Sequence, residues 1–144
     1  MKQALKEAQK AYEKEEVPVG VVIVKDGKII SRAYNQKEEK KDATKHAEII
    51  AIQKASKKLD NWRLQNCQMY VTLEPCPMCA GAIAAARIEK LIIGADDQKA
   101  GACGTVRNML EDYDVNHKVQ IEKGILKQDC EQLLKDFFKL LRKS

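Results

Sequence analysis

Thr72-Leu73-Glu74-Pro75-Cys76-Pro77-Met78-Cys79-Ala80-Gly81 is the stretch from which the rest of this chain can be read. It completes the run Met69-Tyr70-Val71-Thr72-Leu73, whose aromatic and β-branched residues predict a strand. It then opens Gly81-Ala82-Ile83-Ala84-Ala85-Ala86, a run of small residues that predicts a helix packed close to a neighbour. Cys76 falls at the start of that helix and Cys79 about one turn later on the same face, so both sulfurs can reach one ion. Backbone N–H groups at a helix start also favour the thiolate form. By itself a Cys-x-x-Cys reads equally well as a redox pair, and a third ligand decides between the two.

That ligand stands upstream, in His46-Ala47-Glu48, after the polar run Asp42 to Lys45. One imidazole and two thiolates leave a tetrahedral zinc with an open fourth position, which separates a catalytic from a structural site. Because two thiolates cancel the charge of the ion, water is acidified less there than at an all-histidine site, and a general base is needed nearby. Glu48 is the candidate. Ala47, Ile50, Ala51 and Ala55 predict a helix from about Thr44 to Lys58 with His46 and Glu48 in its first turn. Residues two apart in a regular helix point to nearly opposite sides. Both can therefore serve one ion only if the metal lies beyond the helix N-terminus and the first turn is irregular.

Outward from these motifs, strands and helices alternate. Ala4, Leu5, Ala8, Ala11 and Tyr12 recur at helical spacing, and the pattern ends near Glu16-Val17-Pro18. Val19 to Val24 and Lys28 to Ala33 read as a hairpin turned by Asp26-Gly27, and Gln36 to Lys41 as a solvated loop of mixed charge. Lys90 to Gly94 predicts a fourth strand, followed by the Gly-punctuated loop Asp96 to Gly104, and Val119 to Glu122 a weak fifth. Gln128 to Arg142 predicts an amphipathic helix burying Cys130, Leu133, Leu134, Phe137, Leu140 and Leu141, with Phe138 at the margin. The alternation argues a three-layer α/β domain with the sheet in the middle. With 144 residues, 44% of them apolar, and no composition break, one domain over 1–144 is expected.

No apolar run approaches the ~20 residues of a membrane span, and Met1-Lys2-Gln3-Ala4-Leu5 does not read as a leader, so a cytoplasmic protein with no membrane partner is expected. Five cysteines, an odd number with two committed to metal, argue against a disulfide framework and for a reducing compartment. Cys67, Cys103 and Cys130 read as small core or near-surface residues. A net charge of +5 is compatible with a polyanionic partner without identifying one.

His46, Glu48, Pro75, Cys76 and Cys79 together match the H-x-E…P-C-x-x-C signature of zinc deaminases. Further blocks are Glu16-Val17-Pro18-Val19-Gly20, Asn35, Lys99-Ala100-Gly101, Asn116-His117, Gly124-Ile125-Leu126 and Asp136-Phe137-Phe138. With them the chain resembles, over nearly its whole length, the bacterial tRNA-specific adenosine deaminases of the cytidine-deaminase-like superfamily. The zinc motif marks the superfamily and the other blocks mark the family. The resemblance implies an α/β/α cytidine-deaminase-like fold with a five-stranded mixed sheet, one Zn2+ per subunit on His46, Cys76 and Cys79, and a homodimer. It implies conversion of adenosine to inosine at the first anticodon position, with a tRNA anticodon stem-loop as partner. In that reaction Glu48 takes a proton from water, the oxygen attacks C6 of adenine, and Glu48 passes protons to the ring nitrogen and the leaving amine. Asn35 would read the base edge, because an amide both donates and accepts, although an Asn at a strand end also caps loops. Val19, Ala47, Pro75 and Lys99 complete the implied substrate contacts.

The family's Asp-Pro-Thr before the histidine is here Asp42-Ala43-Thr44, and Lys45 replaces a small residue, so the conformation of this loop stays open. Asp96, Asp97 and Lys99 fall by family position on an RNA-facing loop, where such residues are also often simply solvated. His117 reads as a structural hydrogen-bonder ahead of an RNA contact. Lys139, Arg142 and Lys143, beside Phe138, are expected to carry RNA binding, although a helix C-terminus favours cations through its dipole alone. Two other readings share the motifs: a deaminase of free guanine or cytosine, or their nucleosides, and a zinc-stabilised RNA-binding protein without activity. Net positive charge and the Phe-Phe-x-x-Leu-Arg tail weigh against the first, and an intact Glu48 against the second.

Overall fold

Val21, Val22 and Ile23 are all buried, and so are Leu91, Ile92 and Ile93. Successive strand residues point to opposite faces, so these two strands must be covered on both sides. A computed structural model of the chain, describing residues 1–112 and 117–143, meets that demand with helices on each face of one sheet. In chain order it has α1 (Lys2–Glu13), β1 (Gly20–Lys25), β2 (Lys28–Tyr34), α2 (Lys37–Lys40), α3 (Ala47–Leu59) and β3 (Cys67–Leu73). There follow α4 (Pro77–Ala85), β4 (Lys90–Ala95), α5 (Met109–Asp112), β5 (Gln120–Lys123) and α6 (Lys127–Lys143). The sheet order is β2-β1-β3-β4-β5. Strand β1 is antiparallel to both β2 and β3, while β3, β4 and β5 run parallel. This is the three-layer arrangement around a five-stranded mixed sheet that the sequence predicts.

The two faces are packed differently. Val21, Ile23, Met69, Leu91 and Ile93 join Ala47, Ile50, Ala51, Ile83 and Ala84 of α3 and α4 in one core cluster. The other face takes α1 and α6, which touch β1, β3 and β4 and each other. Here the alanines of α1 allow very close approach: a Cβ on Gly20 would sit 2.0 Å from Ala4 O and 2.3 Å from Ala8 N. The hairpin turn is formed by Asp26 (φ +52°) and Gly27 (φ +76°), the pair of positive φ angles that matches the twist of the strands it joins.

Three expectations are corrected. Residues 37–40, read as a solvated loop, form the single turn α2, because the buried Glu16 carboxylate accepts from Glu38 N (3.0 Å) and Glu39 N (2.6 Å). A carboxylate from outside the segment satisfies its orphan N–H groups, and no periodicity within the segment could announce that. Helix α3 begins at Ala47, later than Thr44. In α6 the only buried residues are Cys130 and Phe137, the latter edge-on to Tyr12 at 6.0 Å between ring centres. Residues 138–143 are all exposed, Leu140 at 56%, because α6 rests on β4, β3 and α1 through its earlier turns.

His117 Nε2–H donates to the Ile88 carbonyl at 2.7 Å, the structural bond expected of it, while Asn116 lies outside the described residues. Cys67, Cys103 and Cys130 are buried free thiols. Among the described residues no helix is long and apolar enough to cross a membrane.

Candidate active site

The two helices that follow the candidate metal motifs each start from a candidate ligand held in extended conformation. His46 is the N-cap of α3 (φ −73°, ψ 152°) and Cys76 the N-cap of α4 (φ −76°, ψ 174°), with Pro77 pre-setting the first helical position behind it. This resolves the spacing problem of His46 and Glu48. The histidine stands outside the helix and Glu48 inside its first turn, so the opposition of residues two apart in a regular helix does not apply. The approach to His46 is fixed without the family's proline: Asp42 Oδ1 accepts from Thr44 N (2.8 Å) and Thr44 Oγ1 (2.7 Å), and Lys45 N donates to Asp42 O (3.1 Å).

His46 Nδ1 lies 3.6 Å from Cys76 Sγ and 3.5 Å from Cys79 Sγ, and the three donor atoms fall within 4.8 Å of one another. They can hold one metal ion. The hydrogen bond from Cys79 and the one to His46 push the Cys76 thiol down to about 4, against burial. Cys79 is pushed up, first by its bond to Cys76 and then by burial. The imidazole is raised, chiefly by its hydrogen bond to Cys76. Glu48, 4% exposed, has its carboxyl pushed up to about 7 by burial first of all. A carboxyl of that kind takes and returns a proton near neutral pH.

These groups open on a cavity of about 220 Å³ walled by Val17, Val19, Asn35, Lys37, Ala47, Leu73, Glu74, Asp97 and Ala100 around His46, Glu48 and Cys76. Val19, Asn35 and Ala47 are thus at the wall. Asn35 also caps the loop, its Nδ2 donating to Val17 O (3.2 Å) and its Oδ1 accepting from Lys37 N (3.3 Å). That uses one proton and one lone-pair direction of an amide that has two of each, so the capping and base-reading roles are compatible. Pro75 is buried behind the wall, its carbonyl accepting from Ala102 N at 2.9 Å. Lys99 lies in an adjoining groove of about 1140 Å³.

That groove runs between residues 96–100 and α6, and its cations are Lys37, Lys99, Lys135 and Arg142, with Leu134 and Phe138 between them. Of the three cations expected at the end of α6, Arg142 lines it, whereas Lys139 and Lys143 do not. Lys135 takes their place. Lys135, Phe138 and Arg142 stand at i, i+3 and i+7, one helical face, and that spacing was the signal available in the sequence. Asp96 pairs with Lys123 (3.4 Å) and Lys127 (4.0 Å), and Asp97 Oδ1 accepts from Lys99 N (3.0 Å) and Ala100 N (3.1 Å). Both carboxylates are therefore engaged in shaping the loop.

The chain matches the model of the MafB19-like deaminase family over residues 1–142. It is 48% identical over 143 residues to the tRNA-specific adenosine deaminase of Bacillus subtilis (strain 168), covering 99% of this chain and 89% of that protein. With the protein of the same description from Aquifex aeolicus (strain VF5) the identity is 49% over 142 residues, covering 99% and 93%. A structure solved in work on A-to-I editing by tRNA:A34 deaminases at the wobble position of transfer RNA superposes with a TM-score of 0.90. It shares 41% identity and covers 93% of this chain and 97% of its own.

Proposed function

Since the chain belongs to the tRNA-specific adenosine deaminases, within the MafB19-like deaminase family, we propose that it converts adenosine to inosine at the wobble position of tRNA by hydrolysis. The observation that carries this reading is the triangle of His46 Nδ1 and two cysteine sulfurs beside a buried Glu48, at the foot of a cavity that continues into a cation-lined groove.

The donor set fits one zinc ion. Bonds of ~2.0 Å to nitrogen and ~2.3 Å to sulfur at a tetrahedral angle place N and S about 3.5 Å apart, the spacing of this triangle. When bound by His46, Cys76 and Cys79, zinc supplies the Lewis acidity that makes water a nucleophile near neutral pH. Glu48 accepts one proton of the attacking water and delivers it to the purine ring nitrogen, then accepts the second from the hydroxyl now on C6 and delivers it to the amine, which leaves as ammonia as the C6–N bond breaks. Asn35 orients the base edge with the donor and acceptor capacity its capping bonds leave over. Val19 and Ala47 close the apolar sides of the cavity, Pro75 backs the cysteine turn, and Lys99 meets RNA outside the cavity.

The active form is a cytoplasmic homodimer of one catalytic domain spanning 1–144. The dimer reading draws on α4, where Met78 is exposed and a Cβ on Gly81 would meet no atom within 4 Å from outside its own helix, which leaves room for close packing of a second chain. The test is to incubate purified protein with tRNA and map inosine, beside assays on free guanine and cytidine. Inosine confined to the first anticodon position is expected. Turnover of free base or nucleoside without RNA would overturn the reading.

A further inference from the structure

Glu74 directly precedes the cysteine motif and has no part in the chemistry above, yet its carboxylate is buried and saturated with donors. Oε1 accepts from Asp97 N (3.1 Å) and the Thr105 hydroxyl, and Oε2 from Cys103 N (2.9 Å) and Thr105 N (3.1 Å). Lys123 Nζ lies 3.8 Å from Oε1, and is itself 3.1 Å from Thr105 Oγ1 and 3.4 Å from Asp96 Oδ1. An anion withdrawn from water persists only when donors replace the lost hydration, and here all the hydrogen-bond donors come from one loop, between β4 and α5.

Gly101 shows how tightly this loop is wound on the carboxylate. A Cβ there would stand 2.6 Å from both Cδ and Oε1 of Glu74 and 2.4 Å from Asp97 O. The same loop gives Asp97 and Ala100 to the wall of the cavity and Lys99 to the groove. A neutral amide of the same shape offers one acceptor oxygen where the loop presents four donor bonds, and turns an NH2 group toward N–H groups.

We propose that Glu74 is a positioning residue for the RNA substrate. By gathering the N–H groups of Asp97, Cys103 and Thr105 onto one buried carboxylate, it sets the loop that forms one wall of the base cavity and one edge of the groove. It thereby governs how tightly RNA is held, and leaves the chemical step and the metal ligands to Glu48, His46, Cys76 and Cys79. This deepens the tRNA deaminase reading and rests on it.

The experiment compares the wild-type protein with Glu74→Gln, Gly101→Ala and Thr105→Val. Three quantities are read: steady-state kinetics on an anticodon stem-loop RNA, metal content, and amide hydrogen exchange at residues 97, 103 and 105. Losing a charge-assisted buried hydrogen bond corresponds to roughly a tenfold change in an equilibrium. Glu74→Gln is therefore expected to raise KM about tenfold and to speed exchange of the three amides by about the same factor, with kcat within about threefold and metal content unchanged. Gly101→Ala pushes the same contact apart while keeping the charge and should reproduce the KM effect. Thr105→Val removes one donor and should give a smaller rise, which decides the matter if the other two fail to fold. A fall in kcat at unchanged KM, loss of metal, or unchanged exchange and KM would each overturn the proposal. Failure of the wild-type protein to form inosine would sink the functional reading while leaving the exchange result standing.

Discussion

Replacing Lys135 and Arg142 together by glutamine should weaken RNA binding in a way that the matched pair Lys139→Gln and Lys143→Gln does not. The four residues lie from the middle of α6 to its end, carry the same unit charge and are exposed, and each pair has one member in the last turn, Arg142 or Lys143, so net charge and helix-dipole effects are comparable between the two double variants. What separates them is direction: Lys135 and Arg142 line the groove that continues the base cavity, and the other two do not. Each phosphate contact releases counterions, with a log–log salt slope of ~0.7 for single-stranded and ~0.9 for duplex nucleic acid. Removing two contacts should therefore flatten the slope by roughly 1.4 to 1.8. Between 50 and 200 mM salt the wild-type affinity should then fall about tenfold more steeply than that of the Lys135/Arg142 variant. Fluorescence anisotropy of a labelled anticodon stem-loop across that range measures it directly. Turnover at saturating RNA should be nearly unchanged, since neither side chain touches the cavity. Equal flattening in both double variants, or none in the first, would refute the assignment of the groove as the RNA track.

Glu48→Ala should lower kcat by ~10²–10⁴-fold while metal content stays at that of the wild type, because in the proposed mechanism the side chain moves protons and is not a ligand; elemental analysis of the variant checks it. Gly20→Ala drives a methyl into the backbone of α1 at 2.0 and 2.3 Å and should destabilise the fold by at least about 1–3 kcal/mol, measured by denaturant unfolding. Burial pushes the Cys103 thiol up to about 12, the Cys130 thiol up to about 11, and that of Cys67 upward as well. A raised thiol value means less thiolate at a given pH, so at pH 8 the folded protein should show no alkylation at these three positions by mass spectrometry. The same protein in denaturant should show it at all three.

The five strands, the hairpin turn and the two cysteines of the candidate metal site were legible in the sequence because each is written in residues close together in the chain. Alternation and β-branching mark strands, Asp26-Gly27 is a turn by its own backbone preferences, and Cys76 and Cys79 share a helical face whatever surrounds them. Even the irregular start of α3 could be deduced, since a regular helix cannot turn His46 and Glu48 to one ion. Tertiary structure decided the rest. Helix α2 exists because Glu16 reaches across from another segment to its N–H groups, and the Gly-punctuated loop holds its shape because Glu74, distant in the chain, supplies the acceptor. Which cations of α6 face the groove depends on where that helix crosses β3, β4 and α1, a crossing set by the packing of Phe137 and Cys130. A local pattern can say that a helix has an apolar stripe. How far along the stripe the sheet extends, and so that Leu140 stays exposed, is settled only when the layers meet.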